Sequence, residues 1–176
     1  MLIWGCQSKQ ERYKKIVTTY YDTYYQKRDI EQIKKLFTTA GIQYTDDNYS
    51  MPADTFALIF EFDKQIKSKA YILDMKINKD TVIVFEKITD VLDSLLKRPA
   101  QQYRKKFVIK EDKILKIISS AANTQEWTDK YIQNTQKFFV WVQQNHPKES
   151  LKIILEPYSN SELLLSIAKE YAKQLK

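Results

Sequence analysis

The chain has 176 residues, 43% of them hydrophobic and 13% aromatic, with 29 Lys and Arg against 22 Asp and Glu for a formal charge of +7. So much apolar side chain in the length of one domain excludes a disordered protein, and no stretch approaches the roughly 18 apolar residues of a bilayer-crossing helix. A single cysteine excludes an internal disulfide or a cysteine-built zinc site, and with Gly5 and Gly41 as the only glycines a glycine-rich phosphate loop is excluded as well.

The first segment in chain order is LIWGCQSK. Ile3, Trp4, Gly5 and Cys6 resemble the end of a bacterial lipoprotein signal, whose cysteine thiol receives diacylglycerol, and Gln7, Ser8 and Lys9 resemble the polar tether that follows it. Such a signal needs a basic region and about 7–15 apolar residues upstream, and only five residues precede Cys6. Either residues 1–5 are the remnant of a longer signal and residues 6–10 a tether, or Cys6 is a cytoplasmic thiol. The expectation is the first: a protein of the bacterial cell envelope, periplasm-facing or at the surface, joined to a membrane through acylated Cys6. Nucleic acid is then not an expected partner in spite of the charge.

From Glu11 to Lys27, Tyr13, Ile16, Val17, Tyr20 and Tyr24 recur at helical spacing and predict a first helix with one apolar face. Asp29 with Gln32 three residues on has capping-box spacing, so a short second helix carries Ile30, Ile33, Leu36 and Phe37 and ends before Gly41. The polar run TDDNYS follows, and Pro52 and Asp54 start a third helix bearing Phe56, Ile59 and Phe60. From Ser68 the period becomes two: Tyr71, Leu73, Met75 and Ile77 alternate with Ile72, Asp74 and Lys76 up to the turn Asn78-Lys79-Asp80, and the β-branched stretch from Thr81 returns as a hairpin partner. The chain breaks around Leu95 to Pro99. A second hairpin then runs over Gln102 to Lys110 and Lys113 to Ser119, closed at Glu111-Asp112. Beyond Ser120 the pattern is helical again. Asn123 and Glu126 have capping-box spacing before a long amphipathic helix marked by Trp127, Tyr131, Phe138, Phe139 and Val142, which stops near His146-Pro147. Shorter helices follow over Leu151 to Leu155 and from Ser161 to Leu175.

The stretch YYDTYYQKRDIEQIKKLF, a long helix broken at a polar turn into a shorter one, resembles the opening of nuclear-transport-factor-2-like domains. SKAYILDMKINKDTVIVFEKITD and YRKKFVIKEDKILKIIS are similar to the later strands of that cystatin-like fold. The resemblance implies an α+β domain over residues 11–120, with N-terminal helices packed on a curved antiparallel sheet to form a cone, and a C-terminal helical extension over residues 121–176. Its members include polyketide-cyclase-like enzymes, steroid isomerases, dehydratases and proteins without catalysis, so the fold does not name a chemistry.

Enzymes of this fold generally use an acid or base projecting into the cone. His146, the one histidine, lies at a helix stop outside the resembling region and is expected to be a helix-end residue. Asp74 and Glu86 sit in strand patterns and Asp63 in FEFDKQ; all three are catalytic candidates, and the polar side of a half-exposed sheet accounts for Asp74 and Glu86 equally well. Tyr20, Tyr24, Tyr71, Phe85, Tyr103 and Phe107 are candidates to line a pocket for an apolar ligand, and such aromatics serve as plain core just as well. The run Tyr103-Arg104-Lys105-Lys106 spreads its charges over both faces of a strand and reads as soluble surface, with attraction to anionic lipid as a secondary reading. No metal site and no cofactor is expected. The function expected is binding of a small apolar ligand or an envelope protein without catalysis, with a homodimer as a further partner. The alternatives are an isomerase, cyclase or dehydratase using a carboxylate and a tyrosine, and an interaction module whose face from Trp127 to Val142 docks a partner.

Overall fold

The computed structural model describes residues 8–46 and 49–175, so Cys6 and the segment around it lie outside the described residues. The elements in order are α1 (Lys9–Tyr21), a π-helical continuation (Asp22–Lys27), α2 (Ile30–Leu36), β1 (Tyr44–Asp46), β2 (Tyr49–Met51), α3 (Ala53–Gln65), β3 (Lys69–Asn78), β4 (Thr81–Thr89), α4 (Val91–Leu95), β5 (Gln101–Lys110), β6 (Lys113–Ala121), α5 (Gln125–Asn145), α6 (Pro147–Leu155) and α7 (Ser161–Gln174). Six strands form one sheet in the order β2-β1-β6-β5-β4-β3, antiparallel throughout except where β1 runs parallel to β6. The α+β class, with helices before and after a largely antiparallel sheet, is the one expected.

Local chemistry sets the element ends. Ser8 accepts from the Glu11 backbone N–H while Glu11 accepts from that of Ser8, a reciprocal cap that starts α1 two residues before Glu11. The first helix then widens into a π turn instead of staying α-helical to Lys27, and ends on Arg28 in the left-handed region at φ 57°. Tyr20, Tyr21, Tyr24 and Tyr25 are all buried as a result, two more tyrosines than the helical spacing singles out. Asp29 accepts from the Gln32 N–H at 2.9 Å and caps α2 as expected. At the other end of the chain the cap falls one residue later than its spacing suggests. Thr124 accepts from the Trp127 N–H at 3.2 Å, and Asn123 instead holds the Gln102 N–H of β5 at 2.8 Å.

Three features differ from the sequence reading. TDDNYS supplies the end of β1 and the start of β2 rather than only a polar loop, because β1 pairs with β6 and β2 in turn with β1. Residues beyond Thr89 form α4, capped by Asp90, which accepts from the Asp93 N–H at 2.7 Å. Pro147 opens a helix already at its own position, where a missing N–H costs nothing, so α6 is longer than Leu151 to Leu155.

The sheet carries two irregularities that control which side chains face inward. Pairing between β3 and β4 shifts at Leu73 and that between β5 and β6 at Leu115, each the extra residue of a bulge. The β5–β6 turn passes through Glu111 and Asp112 at φ 52° and 55°, the doubly left-handed turn that matches strand twist. One core fills the space between α1, α2, α3 and the inner sheet face, with Tyr20, Phe60, Val82, Val84, Phe107 and Ile117 buried in it. A second joins α5, α6 and α7 to Ile66, Leu92 and Leu96, with Phe138, Val142 and Ile153 fully enclosed. The helical extension thus packs on the end of α3 and on α4, at the mouth of the cone.

Candidate functional site

Between the two cores lies a cavity of about 380 Å³. The π-helical turn contributes Tyr24 and Tyr25, α3 contributes Phe56, Ile59, Phe62 and Asp63, the inner sheet face contributes Tyr44, Ile88, Tyr103, Lys105 and Ser119, and the extension contributes Tyr131, Phe138, Phe139 and Tyr158. The extension therefore closes a pocket that the cone alone would leave open on that side. Phe62 of α3 and Tyr158, just after α6, meet edge to face at 5.1 Å along this seam.

Strand alternation explains the deepest charge. On β4 the inward positions are Val82, Val84 and Glu86, and on β5 they are Tyr103, Lys105, Phe107 and Ile109, so one acid and one base each occupy an apolar register on adjacent strands. Glu86 is 0% and Lys105 5% exposed, and the Lys105 ammonium sits 2.8 Å from Glu86 Oε1. Tyr21 donates to the other carboxylate oxygen. Burial alone would push Lys105 down; the charge of Glu86 outweighs it and holds the ammonium well above its ordinary value. The two groups meet as an ion pair despite full burial. Lys105 reaches the cavity wall, whereas Glu86 stands behind it.

A second carboxylate faces the cavity from α3. Asp63 accepts from the Tyr24 hydroxyl at 2.8 Å and from Ser68 Oγ at 3.0 Å, and its carboxyl is pushed up by burial in spite of both donors. Arg28, half-buried above the Tyr25 ring at 5.7 Å, donates to the Ser68 carbonyl and so braces the same corner. The tyrosines around this centre are held in their neutral, donating form. Burial raises Tyr24 and Tyr25 well above the ordinary phenol value, and it raises Tyr44 in the same direction.

At the mouth, Asp90 and Asp93 of the α4 segment share Arg98. Both Nε and Nη2 of Arg98 lie 2.9 Å from Asp93 Oδ1, and its guanidinium stacks 4.5 Å above the Tyr131 ring of α5. Burial and then the neighbouring Asp90 push Asp93 up to about 7. The Tyr131 hydroxyl is raised by burial to about 12.

Of the residues singled out in the sequence, the structure brings Asp63, Tyr20, Tyr24 and Tyr103 to the cavity wall. Tyr71 and Phe85 are elsewhere. Tyr71 is 48% exposed and Phe85 half-buried, because both stand on the outer sheet face, and the bulge at Leu73 hands the inner positions to Met75 and Ile77. Phe107 is buried in the core against Tyr20, ring centroids 5.3 Å apart, and does not reach the pocket. Asp74 is exposed and paired with Lys76 at 3.0 Å, whereas Glu86, expected on the same polar side, points inward. His146 lies beside Trp141 with Nε2 3.3 Å from Glu170 in the extension, away from the cavity. Sequence reasoning misses Lys105, because it reads with Arg104 and Lys106 as surface. Those two do point outward, and the signal was parity: Lys105 shares its phase with Tyr103, Phe107 and Ile109. Among the described residues no group of three or more His, Cys, Asp and Glu side chains could hold a metal ion, and no helix is long and apolar enough to cross a membrane.

No protein-family model matches the chain, and no curated protein matches it significantly. Among solved structures the chain is similar to AclR of Streptomyces galilaeus, assigned as a hydroxylase, with a TM-score of 0.54 at 10% identity over 65% of this chain and 80% of that one. It is similar to a SnoaL-like protein of Jannaschia sp. CCS1, assigned as a polyketide cyclase, with a TM-score of 0.53 at 11% identity over 72% and 96%. A SnoaL-like protein of unknown function from Burkholderia thailandensis gives 0.52 at 11% identity over 65% and 98%. At such identities the likeness is one of fold: the chain has the nuclear-transport-factor-2-like, SnoaL-like architecture.

Proposed function

We propose that this chain, a nuclear-transport-factor-2-like cone capped by its own C-terminal helices, binds one small, largely apolar molecule in the cavity without turning it over. The observation that carries the reading is the cavity. Its volume of about 380 Å³ falls within the range of roughly 300–1,000 Å³ typical of small-molecule sites, and aromatic and aliphatic side chains make up most of its wall, with polar groups among them. Binding without turnover is supported by the engagement of those groups. Both oxygens of Asp63 and the ammonium of Lys105 have built-in partners, which suits orienting a ligand better than exchanging a proton with it.

One observation favours the enzymatic reading as a second choice. Asp63 faces the cavity with its carboxyl raised by burial, the direction a general base uses, beside the Tyr24 hydroxyl. That would be isomerase, cyclase or dehydratase chemistry with Asp63 in place of Asp74 or Glu86. Acylation of Cys6 would hold the domain at a bacterial membrane, where an envelope protein or a second copy could meet it; the pattern around Cys6 supports this. For the chain expressed behind a complete lipoprotein signal, palmitate label on the wild type and none on Cys6→Ala is the expected result, and an unlabelled wild type rejects the anchor.

The test of the binding reading is a native mass spectrum of the full chain after incubation with an extract of bacterial envelope lipids and metabolites. A one-to-one adduct, absent from a Ser119→Phe variant that fills the cavity from β6, is expected. A wild type that leaves every extract without added mass refutes the reading, and an adduct that appears as a chemically altered product favours the enzyme.

A further inference from the structure

We propose that Lys105, held in place by Glu86, anchors the polar end of the ligand, and that the site takes an uncharged molecule with a hydrogen-bond-accepting oxygen, a ketone or an ester, in preference to the carboxylate of the same skeleton. The inference rests on the cavity being a ligand site and adds what the ligand must offer there.

An ammonium has three N–H donors and no acceptor. Among the described residues the only carboxylate within ion-pair distance of Lys105 is Glu86, at 2.8 Å. Glu86 stands behind the wall and Lys105 lines it, so Lys105 is the member of the pair that a ligand can meet. Tyr25 and Tyr44 line the same space, and both feel the Lys105 charge, as well as that of Glu86, in their titration. Burial keeps their hydroxyls protonated, so they too can donate. Of the carboxylates on this wall, Asp63 already serves Tyr24 and Ser68, and Asp46, whose charge Tyr44 and Tyr103 feel, adds a further negative group. Lys105, Tyr25 and Tyr44 therefore offer N–H and O–H donors at one end of the cavity, and a ligand meets them by bringing an acceptor.

Charge decides which acceptor. Glu86 already cancels Lys105, and Asp63 lies close enough for Lys105 to affect its titration. A carboxylate entering this space would leave water and add an uncompensated negative charge to a wall that already carries Asp63 and Asp46, a desolvation cost that a lysine with a partner cannot repay. A carbonyl oxygen accepts the same N–H and O–H bonds and adds no charge. The familiar expectation, that a lysine in a pocket captures an acid, would hold only if Glu86 were absent.

Three probes on one skeleton test this by equilibrium titration of the full chain at pH 7.5: 2-acetylnaphthalene, 2-naphthoate and 2-ethylnaphthalene. The wild type is expected to bind the ketone about tenfold or more tighter than either of the others, the size of one hydrogen bond from a charged donor. Glu86→Gln removes the cancelling charge and should reverse the order of ketone and carboxylate. The double variant Lys105→Met with Glu86→Gln leaves no lone buried charge and should lose most of the preference for the ketone over the ethyl compound. A wild type that binds 2-naphthoate as tightly as the ketone overturns the proposal, as does a double variant whose preference for the ketone is undiminished. Equal binding of all three overturns the anchor alone, whereas binding of none overturns the ligand-cavity reading and the anchor with it. Should Glu86→Gln fail to fold, the wild-type order and the double variant still decide.

Discussion

Replacement of Asp93 by Asn should change how stability depends on pH. Asp93 is 4% exposed, its Oδ1 lies 2.9 Å from Arg98, and Oδ2 is buried without a hydrogen-bond partner among the described residues. Burial and Asp90 outweigh Arg98 and carry the carboxyl from its ordinary 3.8 to about 7. The folded chain therefore holds this proton more tightly than the unfolded one, so its stabilising effect is full at acid pH and is lost as pH rises through about 7. At about 1.4 kcal/mol per pH unit over that window, the loss approaches roughly 4 kcal/mol, large beside a total stability of about 5–15 kcal/mol. Asp90, itself raised by burial and tied to the same Arg98, shares part of it. Asn keeps an acceptor for Arg98 and does not titrate. Urea unfolding of both proteins between pH 4 and pH 8 should show the wild type losing about 4 kcal/mol relative to Asp93→Asn as pH rises. A gap between the two that stays constant to within about 1 kcal/mol would refute the assignment of the proton to this pair.

Lys105→Met, which strands Glu86 without its cation, should cost about 3–5 kcal/mol in the same assay, and adding Glu86→Gln should recover more than half; a double variant no better than the single one contradicts the pairing. Tyr24→Phe removes the 2.8 Å donor to Asp63, so a loss of about 1–3 kcal/mol is expected together with a higher Asp63 titration by carboxyl-detected NMR. Thr124→Ala should cost about 1 kcal/mol through the α5 cap, measurable by thermal unfolding, and an unchanged midpoint would place the cap elsewhere. Phe138→Ala opens the second core, where the ring is fully buried, and should cost about 3–5 kcal/mol by chemical denaturation; a cost under 1 kcal/mol would mean that the extension is not packed as described.

The amino-acid sequence by itself determined the class of fold and the order of most elements, because periodicity, caps and turns are local. Tyr13, Val17 and Tyr20 mark an α-helix whatever lies above them, Asp29 caps α2 through a bond spanning three residues, and the Glu111-Asp112 turn needs only its own backbone. Only the tertiary structure decided the site. A bulge at Leu73 reverses strand phase, which put Tyr71 outside and could not be read without the partner strand. β1 exists because β6 lies beside it. The burial of Glu86 and Lys105 depends on each other: one charge in an apolar register reads as a surface residue, and the second, on the neighbouring strand, makes both tolerable inside. The closure of the cavity by α5 and the residues after α6 is longer in range still, since it joins Tyr131 and Tyr158 to a cone built from the first two thirds of the chain. Such pairings depend on distances between segments far apart in sequence, and only folding fixes those distances.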